Sequence, residues 1–381
     1  MGIPQSLIIV PMPGGKYYLF HMSAEQLLNG ETQPLNLSYS EIDMSLDSGL
    51  GGLSVKDIHL YDDTLAFGKL AACRHANGRD WWILTHTYNS DNYVKILCKP
   101  DSFYVISQQI GSLALANSDI LGQTVFSPDG NTFVFAMQNN IIDIFNFDRC
   151  TGELTLRETM SASDSTLGIC GAAISPNSRY LYIDNNNKLF QYDLYSSNIR
   201  NSEKLVGVWD TLFSPAATNF FLEQLGPDGK IYMSTFGGSN KLHVINNPDM
   251  PDTLCNFVQN QVTLPSYNNC LPNLPYFRLG SLPGSLCDSL NGIEELHSFH
   301  ITSVYPNPAT EFITVNYNVV EHKQSQVRIY NMMDEIIISI NIDPLLTAMT
   351  INISNLANGI YICQMVADGL VIDARKISVI K

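Results

Sequence analysis

One turn recurs along this chain at a nearly fixed interval. Asn77-Gly78, Asp129-Gly130, Asn177-Ser178 and Asp228-Gly229 are spaced by 52, 48 and 51 residues, and self-similarity at such a period constrains a fold more than any single element does. The last three share a frame: Phe126-Ser127-Pro128-Asp129-Gly130, Ile174-Ser175-Pro176-Asn177-Ser178 and Leu225-Gly226-Pro227-Asp228-Gly229. Proline presets the first turn dihedral, and Asp, Asn and Gly tolerate the rest of the turn. A strand rich in aromatic and β-branched residues follows each one: Thr132–Ala136, Arg179–Ile183 and Lys230–Met233. Second strands come after short polar turns, at Ile141–Phe147, Lys188–Tyr192 and Lys241–Ile245. Such residues suit a pleated, half-buried surface.

Upstream, Pro13-Gly14-Gly15 leads into Lys16–Phe20, with Tyr39–Met44 as the partner strand, so five units fit between about residues 6 and 265. Units of this length predict an all-β fold, a β-propeller of five or more four-stranded blades over residues 1–290. The alternative is a β-sandwich with coincidental turn spacing. A ring must protect its first and last edges, and five units plus the remnant Leu271–Leu290 make an awkward count. Ser6–Val10 already reads as a mid-domain strand, so the expectation is a propeller truncated at its N-terminus.

Composition agrees with short strands and turns. Charged residues are 15% of the chain, against 25 Gly and 18 Pro, which argues against bundles and coiled coils. With 21 Lys+Arg against 36 Asp+Glu, a net charge of −15 and a pI near 4.8, no basic stripe is available for nucleic acid. The longest apolar runs, such as Leu7–Val10 and Ile336–Ile338, fall far short of the ~20 residues of a spanning helix, so no transmembrane segment is expected. Met1–Gln5 does not open a signal peptide. The eight Cys (73, 98, 150, 170, 255, 270, 287 and 363) contain no Cys-x-x-Cys, and spacing alone leaves open both buried thiols and disulfides.

After residue 290 the character changes. Residues 291–300 read as a polar linker, and 301–381 as a small Ig-like β-sandwich. Its strands are expected at Phe312–Tyr317, Gln326–Tyr330, Ile336–Ile342, Met349–Ile353 and Ile360–Ile362.

His75–Ile83, Phe147–Gly152, Ser175–Tyr182, His243–Pro248, Arg278-Leu279-Gly280 and Cys287-Asp288 resemble secreted β-propeller proteins of the Bacteroidetes, whose blades are similar to lactonase and WD40/YVTN-like repeats. In such relatives a signal peptide and further propeller strands precede this stretch, which implies that the present chain starts late. The tail resembles a type A C-terminal sorting domain of the type IX secretion system. The matching residues are Tyr305-Pro306-Asn307-Pro308-Ala309, Ile329-Tyr330-Asn331, Asn355–Tyr361 with Gly359 and Tyr361, and Lys376–Lys381 with Lys376, Val379 and Lys381. Met333-Asp334 departs from the glycine usual in the central turn. This resemblance implies a transport address read by an outer-membrane translocon, and delivery to the cell surface or medium. Physically, the last strand is expected to offer an exposed edge for strand addition.

Templates for catalysis are missing: there is no Gly-x-Ser-x-Gly, His-Glu-x-x-His, P-loop or Gly-x-Gly-x-x-Gly. His297 and His300 form the closest His pair and lack neighbouring ligands for zinc. The densest polar cluster is His75, Arg79 and Asp80 beside Trp81 and Trp82. Its aromatic faces and charges suit a sugar or carboxylate, while the plainer reading has the Trp pair packing between blades and the polar groups tying the turn. Asp148 and Asp193 read as turn caps. Asp184–Asn187 offers oxygens for Ca²⁺ and reads as an ordinary hairpin loop, so no cofactor and no metal are expected. The channel mouth is the default ligand site of a propeller. The leading expectation is an exported binding module for a protein or glycan, more a binder than an enzyme. The alternative is a lactonase-like extracellular hydrolase acting on a sugar derivative.

Overall fold

A computed structural model describes residues 4–26, 32–115, 121–164, 167–213, 216–268, 270–285, 287, 300–318, 325–332, 335–342, 346, 348–367 and 370–381. Its contacts divide the chain into two compact units, Met1–Ser289 and Leu290–Lys381. Of the expected linker, residues 291–299, with His297, lie outside the described residues, as do Met333 and Asp334. His300 opens the first strand of the second unit.

Among the described residues the first unit contains five consecutive four-stranded antiparallel sheets. Blade 1 is Leu7–Met12, Lys16–Met22, Asn36–Asp43 and Gly52–Asp62, with a small hairpin, Glu25–Gln26 and Thr32–Gln33, inserted. Blade 2 is Ala71–Arg74, Trp81–His86, Ser90–Cys98 and Phe103–Ala114. Blade 3 is Thr124–Phe126, Thr132–Ala136, Ile142–Phe147 and Leu154–Met160. Blade 4 is Gly171–Ile174, Tyr180–Asp184, Lys188–Asp193 and Lys204–Val208. Blade 5 is Phe220–Leu225, Ile231–Thr235, Ser239–Ile245 and Phe257–Asn268. Each sheet meanders in sequence order, which is the blade of a β-propeller.

The recurring turn has one geometry throughout. The N–H of Gly78, Gly130, Ser178 and Gly229 donates to the carbonyl three residues back at 2.8–3.1 Å. These positions have φ of +74°, +74°, +60° and +78°, where glycine is unstrained and serine is not. The Asn77, Asp129 and Asn177 side chains each accept the N–H two residues on at 3.0 Å. This Asx turn is why the motif can be read locally.

Blades cohere through apolar faces. Phe20 and Val10 meet Trp81 and Ile96 between blades 1 and 2, and Trp82 and Tyr93 meet Phe133 and Phe147 between blades 2 and 3. Ile144 meets Leu181 between blades 3 and 4, and Tyr182 meets Phe220 and Met233 between blades 4 and 5. Among the described residues no such cluster joins blade 5 to blade 1. Trp81 and Trp82 are adjacent in one strand, so they point to opposite faces. Each interface of blade 2 therefore receives one indole.

The remnant expected at Leu271–Leu290 is not a further blade. Its described part is an irregular strap, fixed at its far end by a disulfide between Cys150 and Cys287, whose Cα atoms lie 5.6 Å apart.

The second unit is a sandwich of two antiparallel sheets. One holds His300–Tyr305, Phe312–Asn318 and Ala348–Asn352; the other runs in the order Ile336–Asn341, Ser325–Tyr330, Gly359–Ala367, Leu370–Val379. Ile301, Ile313, Val315 and Ile351 from the first sheet pack on Val327, Ile329, Met365 and Ile377 from the second.

Candidate functional site

The polar and aromatic cluster at 75–82 is brought together, but it faces inward. The Trp81 indole N–H donates to the Pro11 carbonyl at 3.1 Å and that of Trp82 to the Arg149 carbonyl at 2.9 Å. Both rings are buried, with at most 1% exposure. His75 Nδ1 accepts the Asn77 N–H at 3.1 Å, so Nε2 carries the proton that goes to the Cys150 carbonyl at 2.9 Å. Burial lowers the pKa of this imidazole, which holds it neutral. The buried Asp80 carboxylate accepts Arg79 Nε at 2.7 Å and Asn77 Nδ2 at 2.8 Å. These contacts fasten the turn to its neighbours and leave no indole face for a ligand. Arg149 extends the cluster. Its buried guanidinium donates to the carbonyls of Arg74, His75 and Gly280, and so fixes the strap.

The first strands of all five blades line an axial cavity of about 50 Å³, with Ile8, Ala72, Thr124, Ala173 and Glu223 contributing and Asn273 and Tyr276 of the strap closing it. The strap runs from one rim to the other. Cys270 packs beside Cys170 and Phe221, Asn273 Nδ2 donates to the Leu70 carbonyl at 2.8 Å, and the Leu282 N–H donates to the Ala76 carbonyl at 2.8 Å. The strap thus narrows the channel expected to take a ligand to a small cavity.

Two glutamine side chains stitch the axis. Gln123 donates to the Glu223 carbonyl at 2.6 Å and accepts the N–H groups of Ala172 and Glu223 at 3.0 Å each. One amide thereby joins blades 3, 4 and 5. Gln5 repeats the device, donating to the Thr124 carbonyl at 3.1 Å and accepting its N–H at 3.0 Å. A primary amide carries a donor and an acceptor on one short plane, so it can stand in for a peptide group.

Beside Gln123, the Asp184 and Glu223 carboxyls share the space left by Gly171, where a Cβ would lie 2.3 Å from Asp184 Oδ2 and 3.0 Å from Glu223 Cγ. Both are fully buried. Burial is the main cause that raises Asp184 to about 8, and burial followed by the Asp184 charge raises Glu223 well above the usual carboxyl range. Asp184 Oδ2 and both Glu223 carboxyl oxygens are buried with no hydrogen-bond partner among the described residues, and two carboxyls crowded out of water favour a proton on at least one of them. Among the described residues no group of three or more His, Cys, Asp or Glu could hold a metal ion.

An outward-facing site lies on the rim of blades 4 and 5. The loop after Lys204–Val208 carries Trp209, whose indole N–H donates to Thr218 Oγ1 at 3.2 Å and whose ring lies 5.9 Å from Phe213. His243 supports the loop from below, with Nε2 donating to the Thr218 carbonyl at 2.8 Å and Nδ1 accepting the Asn260 N–H at 3.1 Å. Burial lowers His243 to about 4. The Phe236 N–H donates to the Asn219 carbonyl at 3.0 Å, which brings a second turn onto the loop. Phe213 is 68% exposed and Phe236 50% exposed. Around them, Asp210 accepts Asn260 Nδ2 at 3.0 Å, and Asn219 Nδ2 donates to Asn187 Oδ1 at 2.8 Å. Phe213 lies against Trp209 and Phe236 against Phe221, and exposed rings beside carboxamides are residue types that suit a sugar face or a protein side chain. The signal in the sequence was Trp209-Asp210-Thr211-Leu212-Phe213, two aromatics in an otherwise polar connection between blades.

In the second unit, three separate stretches converge on the end of the terminal strand. Asn307 Nδ2 donates to the Lys376 carbonyl at 3.0 Å, and Asn307 Oδ1 accepts the Ser378 N–H at 2.9 Å. The Ala309 N–H donates to the Ser378 carbonyl at 2.8 Å, and the Ala309 carbonyl accepts the Ile380 N–H at 2.9 Å. The Lys381 N–H donates to Asn358 Oδ1 at 2.8 Å, and its ammonium to the Ser354 carbonyl. The expected open edge is therefore closed at residues 376–380, because the segment 307–309 already occupies it.

Comparison with protein families gives a match over residues 303–380 to the secretion system C-terminal sorting domain. The second unit is a type IX secretion sorting domain. Within this sorting domain Gly359 pairs with Val379 and Tyr361 with Ile377, and the Tyr361 hydroxyl donates to the Ala357 carbonyl at 3.1 Å. Val379 is buried in the core, while Tyr305 and Pro306 are exposed. No curated protein matches the chain. Among solved structures, a putative 6-phosphogluconolactonase from Bacteroides uniformis is 14% identical, with 69% of this chain and 86% of that one covered at a TM-score of 0.43. A periplasmic gluconolactonase from Pseudomonas aeruginosa is 12% identical over 99% and 89%, TM-score 0.43. A protein from Lactobacillus plantarum is 11% identical over 98% and 88%, TM-score 0.45. Likeness at this level carries no weight for activity, and the propeller assignment rests on the strand order itself.

Proposed function

We propose that the chain is an exported propeller that binds a protein or glycan on the aromatic rim of blades 4 and 5, with its sorting domain serving as the address for type IX export. The observation that carries this reading is the contrast between axis and rim. Small-molecule sites usually offer about 300–1,000 Å³, whereas the axial cavity is about 50 Å³ and is bordered by the strap. The rim instead exposes Phe213 and Phe236 beside Asp210, Asn219 and Asn260. The hydrolase alternative draws no support from Asp184 and Glu223, because an acid–base pair must reach its substrate and these carboxyls are sealed.

The test is binding of the full chain to arrays of polysaccharides and of extracellular proteins, repeated with the double variant Phe213→Ala/Phe236→Ala. A drop of about tenfold or more at an unchanged melting temperature is expected, since exposed rings contribute to binding and little to folding. Equal binding by the double variant contradicts the rim as the site.

A further inference from the structure

We infer that Asn307 and Ala309 form a clasp on the terminal strand, so that the export signal is presented as a sealed strand and not as a free edge. This rests on the sorting-domain reading above and says what its opening motif does. Leu370–Val379 pairs on one side with Gly359–Ala367. On its other side the strand directs outward the Lys376 carbonyl, both backbone groups of Ser378 and the Ile380 N–H, and each of these four has a partner in Asn307 or Ala309. The same strand is tied further up, where the Arg375 guanidinium donates to the Ile301 carbonyl at 3.0 Å and Asp373 Oδ2 accepts the Ile301 N–H at 3.0 Å.

The residue types fit the task. Pro306 and Pro308 have no N–H, so this segment cannot pair as an ordinary strand. The side chain between them must do the pairing, and asparagine is the short side chain with one donor face and one acceptor face. Ala309 is fully buried against the end of the strand, bridged to Val379, where a larger side chain would force the clasp open. The Tyr-Pro-Asn-Pro-Ala opening and the Lys376–Lys381 ending are thus two halves of one closed structure. An unpaired edge would invite pairing with any extended chain; the clasp removes that before export.

Hydrogen exchange of the full chain and of Asn307→Ala tests the clasp directly. The Ser378 and Ile380 amides should exchange about three- to tenfold faster in the variant, the size expected for losing hydrogen bonds of ordinary strength. Val327 and Ile329 amides should be unchanged, which shows that the sandwich is still folded. Unchanged protection at Ser378 overturns the clasp. If Asn307→Ala fails to fold, Asn307→Asp, which keeps the acceptor for Ser378 but sets a carboxylate oxygen against the Lys376 carbonyl, should speed exchange at Ile380 above the parent, and parent-like exchange there overturns the clasp.

A second arm places the chain behind a signal peptide in a host with type IX secretion. Retention of Asn307→Ala, with the terminal sequence intact, supports a sealed signal. Normal export of a variant whose Ser378 amide is unprotected overturns the sealed signal while leaving the sorting reading in place. Normal export of a variant lacking Lys376–Lys381 removes the sorting reading itself.

Discussion

The two units solve one problem with the same chemical group and opposite exposure. In the propeller, the buried Gln123 carboxamide bridges backbone groups of blades 4 and 5, and the half-buried Gln5 holds both backbone groups of Thr124. In the sorting domain, Asn307 bridges backbone groups of the terminal strand in the same donor-and-acceptor fashion, but on the surface. Removing a buried amide strands several buried polar groups, each costly. Removing an exposed one lets water replace it. The propeller thus uses the device for cohesion, whereas the sorting domain uses it for a closure that can be opened at small cost.

The largest effect should come from the blade interfaces. Trp81→Ala and Trp82→Ala should each lower propeller stability by about 3–5 kcal/mol, measured by denaturant unfolding, with the sorting-domain transition unmoved. A coupled shift of both transitions breaks the separation of the two units. Next, Gln123→Ala orphans two N–H groups and a carbonyl and should cost the propeller about 3 kcal/mol. Asn307→Ala should cost the sorting domain about 1 kcal/mol or less. Equal losses would contradict a buried bridge in the propeller and an exposed one in the sorting domain.

An intermediate effect is pH dependence. Asp184 is raised from 3.8 to about 8 and Glu223 is raised with it. A carboxyl with a raised folded pKa takes up its proton more readily in the native state, so its contribution is present below pH ~4 and is lost as pH rises towards ~8. Propeller stability should therefore fall across that window. His86 and His243, both lowered to about 4 by burial, act in the opposite sense as pH falls below 6.5. The difference between the parent and Asp184→Asn/Glu223→Gln isolates the carboxyl pair, and a pH-independent difference contradicts the raising of these carboxyls by burial. The smallest effect is at the rim, where Phe213→Ala/Phe236→Ala should leave the melting temperature unchanged and alter binding alone.

What could be read from the sequence was local. The Pro-Asx turn sets its own geometry within five residues, so the five-unit repeat and the aromatic strands after each turn were visible. The outer fourth strands, such as Gly52–Asp62 with its mostly exposed pattern, lack the alternation that marks a strand. The strap at 270–285 has no regular period at all. Gln5 and Gln123 act on groups 119 and 100 residues away, and Asn307 on one 71 residues away. Nothing in the identity of a glutamine announces such a partner. At His75–Trp82 both readings, ligand site and blade packing, were open in the sequence, and strand alternation sends the successive indoles into separate buried interfaces, as the packing reading expects.

The most direct measurement is fractionation of cells expressing the signal-bearing chain with and without residues 303–380 in a type IX host. The complete chain should reach the cell surface or medium, and the chain without its sorting domain should remain in the periplasm. Equal export of both forms would contradict the assignment of this module as the address.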